Sequence, residues 1–264
     1  MHYTLRQIID SLPKKKNGRS AFFVRHFFRP LSFPLTYVFI NANWSANAVS
    51  VLSLFIVLLG GIFLSINNFW LMFAGIMLIY FWMLLDCVDG NIARCTKYKT
   101  FMGDFYDAVA GYASFAFSII GVGMAAYHTS YLFPESFHPY FILIGCTAAM
   151  LNLYTRLIHQ KYLNCYFVAK NILGMNDEIT LKDTENKRSF AYIREFIDKN
   201  IGMGGIFMPW LLIALFTKTF EIMLFFYALY YLASFAAILF LYLRKAAVFE
   251  DEAQKMLKEK GITL

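Results

Sequence analysis

The stretch Asp86–Gly111 reads DCVDGNIARCTKYKTFMGDFYDAVAG. It places Asp86, Asp89, Asp104 and Asp107, three glycines (Gly90, Gly103, Gly111) and the basic residues Arg94, Lys97 and Lys99 between two apolar runs. The 17 residues from Phe69 to Leu85 carry no charge, and neither do the 20 from Ala108 to Tyr127. Carboxylates at the ends of membrane-length runs are costly unless something balances them, which makes them candidates for function. At about 100° per residue, Asp86, Asp89, Gly90 and Ala93 share one arc of a helix, and Gly103, Asp104, Asp107 and Gly111 share one arc of the next. If the two helices are antiparallel neighbours, these faces can meet, and the carboxylates converge on a gap lined by small residues. Like charges brought that close repel unless a counter-charge balances them. One or two hard divalent cations, Mg2+ or Mn2+, suit an all-oxygen donor set and leave positions for water and substrate phosphates. Gly90, Ala93 and Gly103 leave room for a bulky ligand to approach the backbone.

Outward from this stretch the chain reads as an all-α integral membrane protein. Of its 264 residues, 59% are hydrophobic, 19% aromatic and only 16% charged, with mean hydropathy +0.52. That is no ordinary soluble composition. Six apolar runs, Asn47–Ile66, Phe69–Leu85, Ala108–Tyr127, Tyr140–Leu157, Ile201–Phe216 and Phe220–Leu243, approach the roughly 20 residues a spanning helix needs. Residues 1–45 read as an N-terminal interfacial segment, 46–245 as the six-helix membrane domain with a cytoplasmic segment at 161–200, and 246–264 as a cytoplasmic tail. In the first segment Tyr3, Leu5, Ile8, Ile9 and Leu12 give a short helix an apolar side. Lys14, Lys15, Lys16, Arg19, Arg25 and Arg29 then alternate with Phe22, Phe23, Phe27 and Phe28, as in an amphipathic helix lying among anionic headgroups. Pro30 and Pro34 are expected to break it. Arg25 or Arg29 could also contact a substrate phosphate. In the 161–200 segment, Phe190, Ile193, Phe196 and Ile197 have the spacing of a second surface helix, with Arg188, Arg194 and Lys199 among them.

Lysines and arginines set the orientation. Of 24, all but Lys218 fall on one side of a six-span arrangement, which predicts that both termini and the Asp86–Gly111 stretch face the cytoplasm. A bacterial inner membrane is the expected location. No secretory signal pattern opens the chain. Cys87, Cys95, Cys146 and Cys165 lack metal or redox spacing and read as reduced structural thiols. The basic residues track membrane borders, so the partner they imply is lipid and not nucleic acid. Asn47 reads equally as a helix cap or a site residue, and Arg156 as a snorkelling side chain or a cavity group.

The pattern D-x2-D-G-x2-A-R-x8-G-x3-D, carried here by Asp86, Asp89, Gly90, Ala93, Arg94, Gly103 and Asp107, resembles the signature of the CDP-alcohol phosphotransferase (CDP-alcohol phosphatidyltransferase) family. The family signature continues x3-D, and here that fourth position is Gly111. The resemblance implies that Asp86, Asp89 and Asp107 hold one or two divalent ions, and that Gly90, Ala93, Gly103 and Arg94 receive a CDP-linked donor. It also implies that Arg156 faces the cavity, that CMP leaves as the acceptor attacks, and that the protein can form a homodimer. Either CDP-diacylglycerol or a small CDP-alcohol is compatible with the signature, and so are several head groups. In the family the four aspartates hold two divalent ions, and the fourth is also the favoured base for the acceptor hydroxyl. Three readings of its replacement stay open. Asp104, a turn before Asp107, supplies the ligand or base. An acceptor that is already an anion needs no base. Or the protein binds nucleotide or lipid without turnover. A transporter using the same carboxylates is an unrelated alternative.

Overall fold

The structure, a computed structural model, describes residues 2–13, 20–97, 100, 102–174 and 199–259. The short helix α1 (Leu5–Asp10) begins with reciprocal capping: the Gln7 amide donates to Thr4 Oγ1, and the Thr4 amide donates to Gln7 Oε1. Its Ile8 is fully buried with Ile40, Val49, Leu85, Val88 and Ile92, while Leu5 and Ile9 stay exposed. A π-helical turn, Val24–Phe28, runs directly into α2 (Arg29–Asn41). Pro30 and Pro34 therefore do not break the chain where the sequence suggested. Pro30 occupies the first turn of α2, where an amide proton has little to lose, and Pro34 lies inside α2, at the loss of one backbone bond. The basic residues 14–19 and the proposed surface helix carrying Arg188, Phe190, Ile193, Arg194, Phe196 and Ile197 lie outside the described residues.

Six helical stretches are long and apolar enough to cross a membrane, and no strand occurs among the described residues. They contain α3 (Ala46–Leu64), α4 (Phe69–Thr96), α5 (Gly103–Thr129), α6 (His138–Leu173), α7 (Met208–Thr217) and α8 (Phe220–Glu259). Ser45 Oγ caps α3 by accepting from the Ala48 amide, so the capping role falls to Ser45 and not Asn47. Asn68 Oδ1 accepts from the Trp70 and Leu71 amides at the start of α4. Lys97, with φ 52°, ends α4 in the left-handed region. Helix α4 thus runs a further 11 residues beyond the apolar run that ends at Leu85, and the first half of the motif is helical. The fifth crossing stretch, Lys199–Thr217, is broken at Gly205 by non-helical φ and ψ.

Helix α3 packs along both α4 and α5, α5 along α6, and α6 along α8. Helices α4 and α5 touch each other little, so they splay on either side of α3. Close approach depends on glycine, as is common between membrane helices. A Cβ on Gly75 of α4 would lie 2.6 Å from the Leu64 amide nitrogen and 2.7 Å from the Gly60 carbonyl oxygen of α3. Gly123 of α5 faces Gly145 of α6 in the same way. The main core gathers Ile76, Ile79, Ile119, Phe141, Phe207 and Tyr227, and the Tyr227 hydroxyl donates to the Ile201 carbonyl at 2.7 Å. Helices α6 and α8 have 36 and 40 residues, more than a crossing requires. Their extensions pair through Tyr162 on Tyr242, Tyr166 on Phe249, and a hydrogen bond between His159 and Tyr242.

Candidate functional site

The C-terminal turns of α4 and the N-terminal turns of α5 bring Asp86, Asp89 and Asp107 to one cavity of about 160 Å³, bordered also by Arg29, Cys87 and Arg94. Asp89 is 8% exposed, and its Oδ2 accepts from Ser50 Oγ of α3 at 2.7 Å. Asn91 is 3% exposed and spends both amide protons on α2, donating to Ser32 Oγ at 3.0 Å and Thr36 Oγ1 at 2.9 Å. Its Oδ1 accepts from Arg94 Nη2 at 2.6 Å. The Arg94 guanidinium is thereby tied through Asn91 to α2, and it lies against Gly90, where a Cβ would be 3.2 Å from Arg94 Nη1. Any side chain at position 90 would push on that guanidinium, so the glycine gives room to Arg94 as well as to a ligand.

Two larger cavities flank the small one. The first, about 760 Å³, is bordered by Asn47, Asp89, Gly90, Ala93, Arg94, Gly103, Asp104 and Asp107. Thr100 Oγ1 donates to Asn47 Oδ1 at 3.2 Å across it, and a Cβ on Gly103 would meet Thr100 Oγ1 at 2.8 Å. The second, about 880 Å³, is bordered by Arg29, Asp86, Asp107, Gly111, Arg156 and Lys199, with Trp82, Met83 and Phe115 among its apolar walls. Asp107 borders all three cavities and is their junction. The sequence-derived residues Gly90, Ala93, Arg94 and Gly103 are brought together, whereas Arg156 sits in the other large cavity. There its guanidinium lies over the rings of Phe115 (4.4 Å) and Tyr112 (5.1 Å), and its Nε donates to Asn152 Oδ1. Asp104 and Gly111 also part company: Asp104 borders the 760 Å³ cavity and Gly111 the 880 Å³ one. Among the described residues, a Cβ on Gly111 would meet nothing within 4 Å. Of the two arginines singled out in the N-terminal segment, Arg29 borders the site and Arg25 is exposed.

Among the described residues, no three His, Cys, Asp or Glu side chains are drawn together as a ready ligand set. The donors still fit a hard divalent ion in kind, because three carboxylates from two helices share one small cavity. Cys87 borders the same space, but its soft sulfur suits such an ion poorly.

Ser50, Asn91, Ser32 and Thr36 did not stand out in the sequence. Their one signal was polarity within otherwise apolar or motif segments; their roles come from pairings across 39 to 59 residues. The family model for CDP-alcohol phosphatidyltransferase matches residues 43–174, half of the chain, and this range contains α3, α4, α5 and α6. An uncharacterized protein of Aquifex aeolicus (strain VF5) is 34% identical over 106 residues, which cover 39% of this chain and 53% of that relative. The chain thus spans about half the length of the curated relative it matches.

Proposed function

The chain belongs to the CDP-alcohol phosphatidyltransferase family, and from that premise we propose that it moves a substituted phosphate from a CDP-linked donor to an acceptor and releases CMP. The observation that carries this reading is the position of Asp107, at the junction of two substrate-sized cavities and the small cavity shared with Asp86 and Asp89. A transferase needs two substrates to meet at one reacting centre, and this arrangement provides for that.

In this reading the donor nucleotide occupies the 760 Å³ cavity, where Gly90, Ala93 and Gly103 leave space and Arg94 meets a phosphate. The acceptor enters the 880 Å³ cavity beside Arg156. Asp86, Asp89 and Asp107 would hold Mg2+ or Mn2+, which when bound supplies charge neutralisation for the phosphoryl oxygens and the departing CMP. Ser50 fixes the rotamer of Asp89 by donating to one of its oxygens. Asn91 holds Arg94 at the donor side. The splay of α4 and α5 keeps both substrates near Asp107 in a partly enclosed space, where fixed charges act more strongly than in water. The products would be phospholipids or lipid-linked glycan precursors. The lysine and arginine count supports a cytoplasmic side for this face and both termini, in keeping with a CDP-dependent reaction.

The test is CMP release by purified protein in detergent with Mg2+ or Mn2+. CDP-diacylglycerol is offered in one series and small CDP-alcohols in another, each with a lipid extract as acceptor. Asp89→Asn and Asp107→Asn should each lower the rate by about a hundredfold or more. Release that is independent of metal and unchanged in both variants would overturn the proposal. Cation uptake into vesicles without CMP production would instead favour an ion pathway.

A further inference from the structure

The position that carries a fourth aspartate in the family signature is Gly111 here, and it borders the 880 Å³ cavity, with no atom of the described residues within 4 Å of a Cβ built there. That cavity has a particular charge pattern. Among the described residues, the carboxylates bordering it are Asp86 and Asp107, which the proposed function gives to the ion, and the other charged groups are Arg29, Arg156 and Lys199. Asp104, the nearest substitute for a missing base, borders the opposite cavity. Among the described lining residues there is no histidine, glutamate, cysteine or tyrosine to take a proton from an attacking hydroxyl. Arg29 donates from Nη2 to Ser20 Oγ at 2.7 Å, but its Nε and Nη1 are buried without a partner among the described residues. Buried guanidinium donors without partners are costly, and an anionic oxygen is the group that relieves them.

We propose that the acceptor is a phosphate monoester held in this cavity by Arg29, Arg156 and Lys199, and that its own phosphate oxygen is the attacking atom. This inference rests on the transferase reading above and specifies its acceptor. A phosphate monoester carries between one and two negative charges near neutral pH, so its oxygen attacks without surrendering a proton and no base is required. The oxygen forms a bond to the donor phosphorus that bears the alcohol. The bond from that phosphorus to the bridging oxygen of the CDP diphosphate breaks, and its electron pair leaves on CMP. One diphosphate is exchanged for another, no proton moves, and net charge is conserved. The product is a diphosphate esterified at both ends. The apolar wall of Trp82, Met83 and Phe115 suits a lipid chain on the phosphate, and the open volume also admits a small soluble ester.

The experiment is a binding titration on full-length protein in detergent with Mg2+ and CMP. Geranyl phosphate and glycerol 3-phosphate are compared with geraniol and glycerol, which also separates a lipid source of the phosphate from a soluble one. CMP is titrated separately as the donor-side probe. A phosphate should bind at least about tenfold more tightly than its alcohol. Arg29→Gln and Arg156→Gln should each weaken it by about tenfold, with CMP affinity changed by no more than about twofold. Equal binding of alcohol and phosphate, or phosphate affinity unaffected by Arg29→Gln and Arg156→Gln, would overturn the inference. With any CDP donor that turns over, phosphorus NMR should show a new P–O–P linkage to the acceptor phosphate; a phosphodiester to a hydroxyl would also overturn it. Failure of CMP to bind counts against the transferase reading, and the phosphate titration still decides the anion site by itself.

Discussion

Asn91 ties two helices, α2 and α4, together with one amide. Its protons go to Ser32 and Thr36 of α2, and its oxygen receives Arg94 of the motif. Asn91→Leu keeps a similar volume and removes every one of these bonds. It should destabilise the protein by at least about 2 kcal/mol, because buried hydroxyls and a guanidinium donor lose their partner. Thermal unfolding in detergent measures this. The same variant should weaken CMP binding by about tenfold, since Arg94 is no longer held at the donor cavity; a purely structural role would lower stability and leave affinity of the folded protein intact. At this scale the sequence was informative where a residue's chemistry has few alternatives. Asp86, Asp89 and Asp107 announce themselves, because carboxylates beside apolar runs need a reason. Asn91 and Ser50 do not, because an amide or hydroxyl in a helix becomes meaningful only through a partner many residues away. Arg156 could be read as belonging near the site, but its placement in the cavity opposite Arg94 depends on how α6 packs against α5.

At the scale of the helices, glycine separates two kinds of position. Gly75→Ala would set a Cβ against backbone atoms of α3, which cannot swing aside as a side chain can, and should cost about 1–3 kcal/mol. Gly111→Ala, on α5, meets no atom of the described residues within 4 Å and should instead gain about 0.5–1 kcal/mol, the usual benefit of alanine over glycine within a helix. Comparing the two melting temperatures with wild type checks both signs. Six crossing helices were legible because an unbroken apolar run has few alternatives to spanning. Their ends were less so: α4 continues to Thr96 through polar motif residues, because helical hydrogen bonding does not require an apolar side chain and no proline interrupts it before Lys97. The π turn at Val24–Phe28 and the helix through Pro34 had no counterpart in hydrophobic periodicity. The splay of α4 and α5 was likewise hidden, since it arises from α3 packing against both.

For the whole molecule, the proposed orientation is open to direct measurement. Cys165 is exposed on the extension of α6, and Thr217 is exposed at the turn between α7 and α8. With both termini cytoplasmic, an impermeant maleimide should label Thr217→Cys in intact spheroplasts and reach Cys165 only after permeabilisation; the reverse pattern would invert the topology. The extended pair α6 and α8 also has a mechanical consequence. Helix α6 is a stiff rod of about 54 Å at 1.5 Å per residue. It is held as on a pivot where Gly145 closes on Gly123, and gripped at its far end by the tyrosines facing α8. Arg156 sits between the two, about 16 Å from the pivot, so a 5° tilt of the rod carries it roughly 1.5 Å. A load at the far end that tilted the rod about this contact would therefore move a side chain at the wall of the larger cavity.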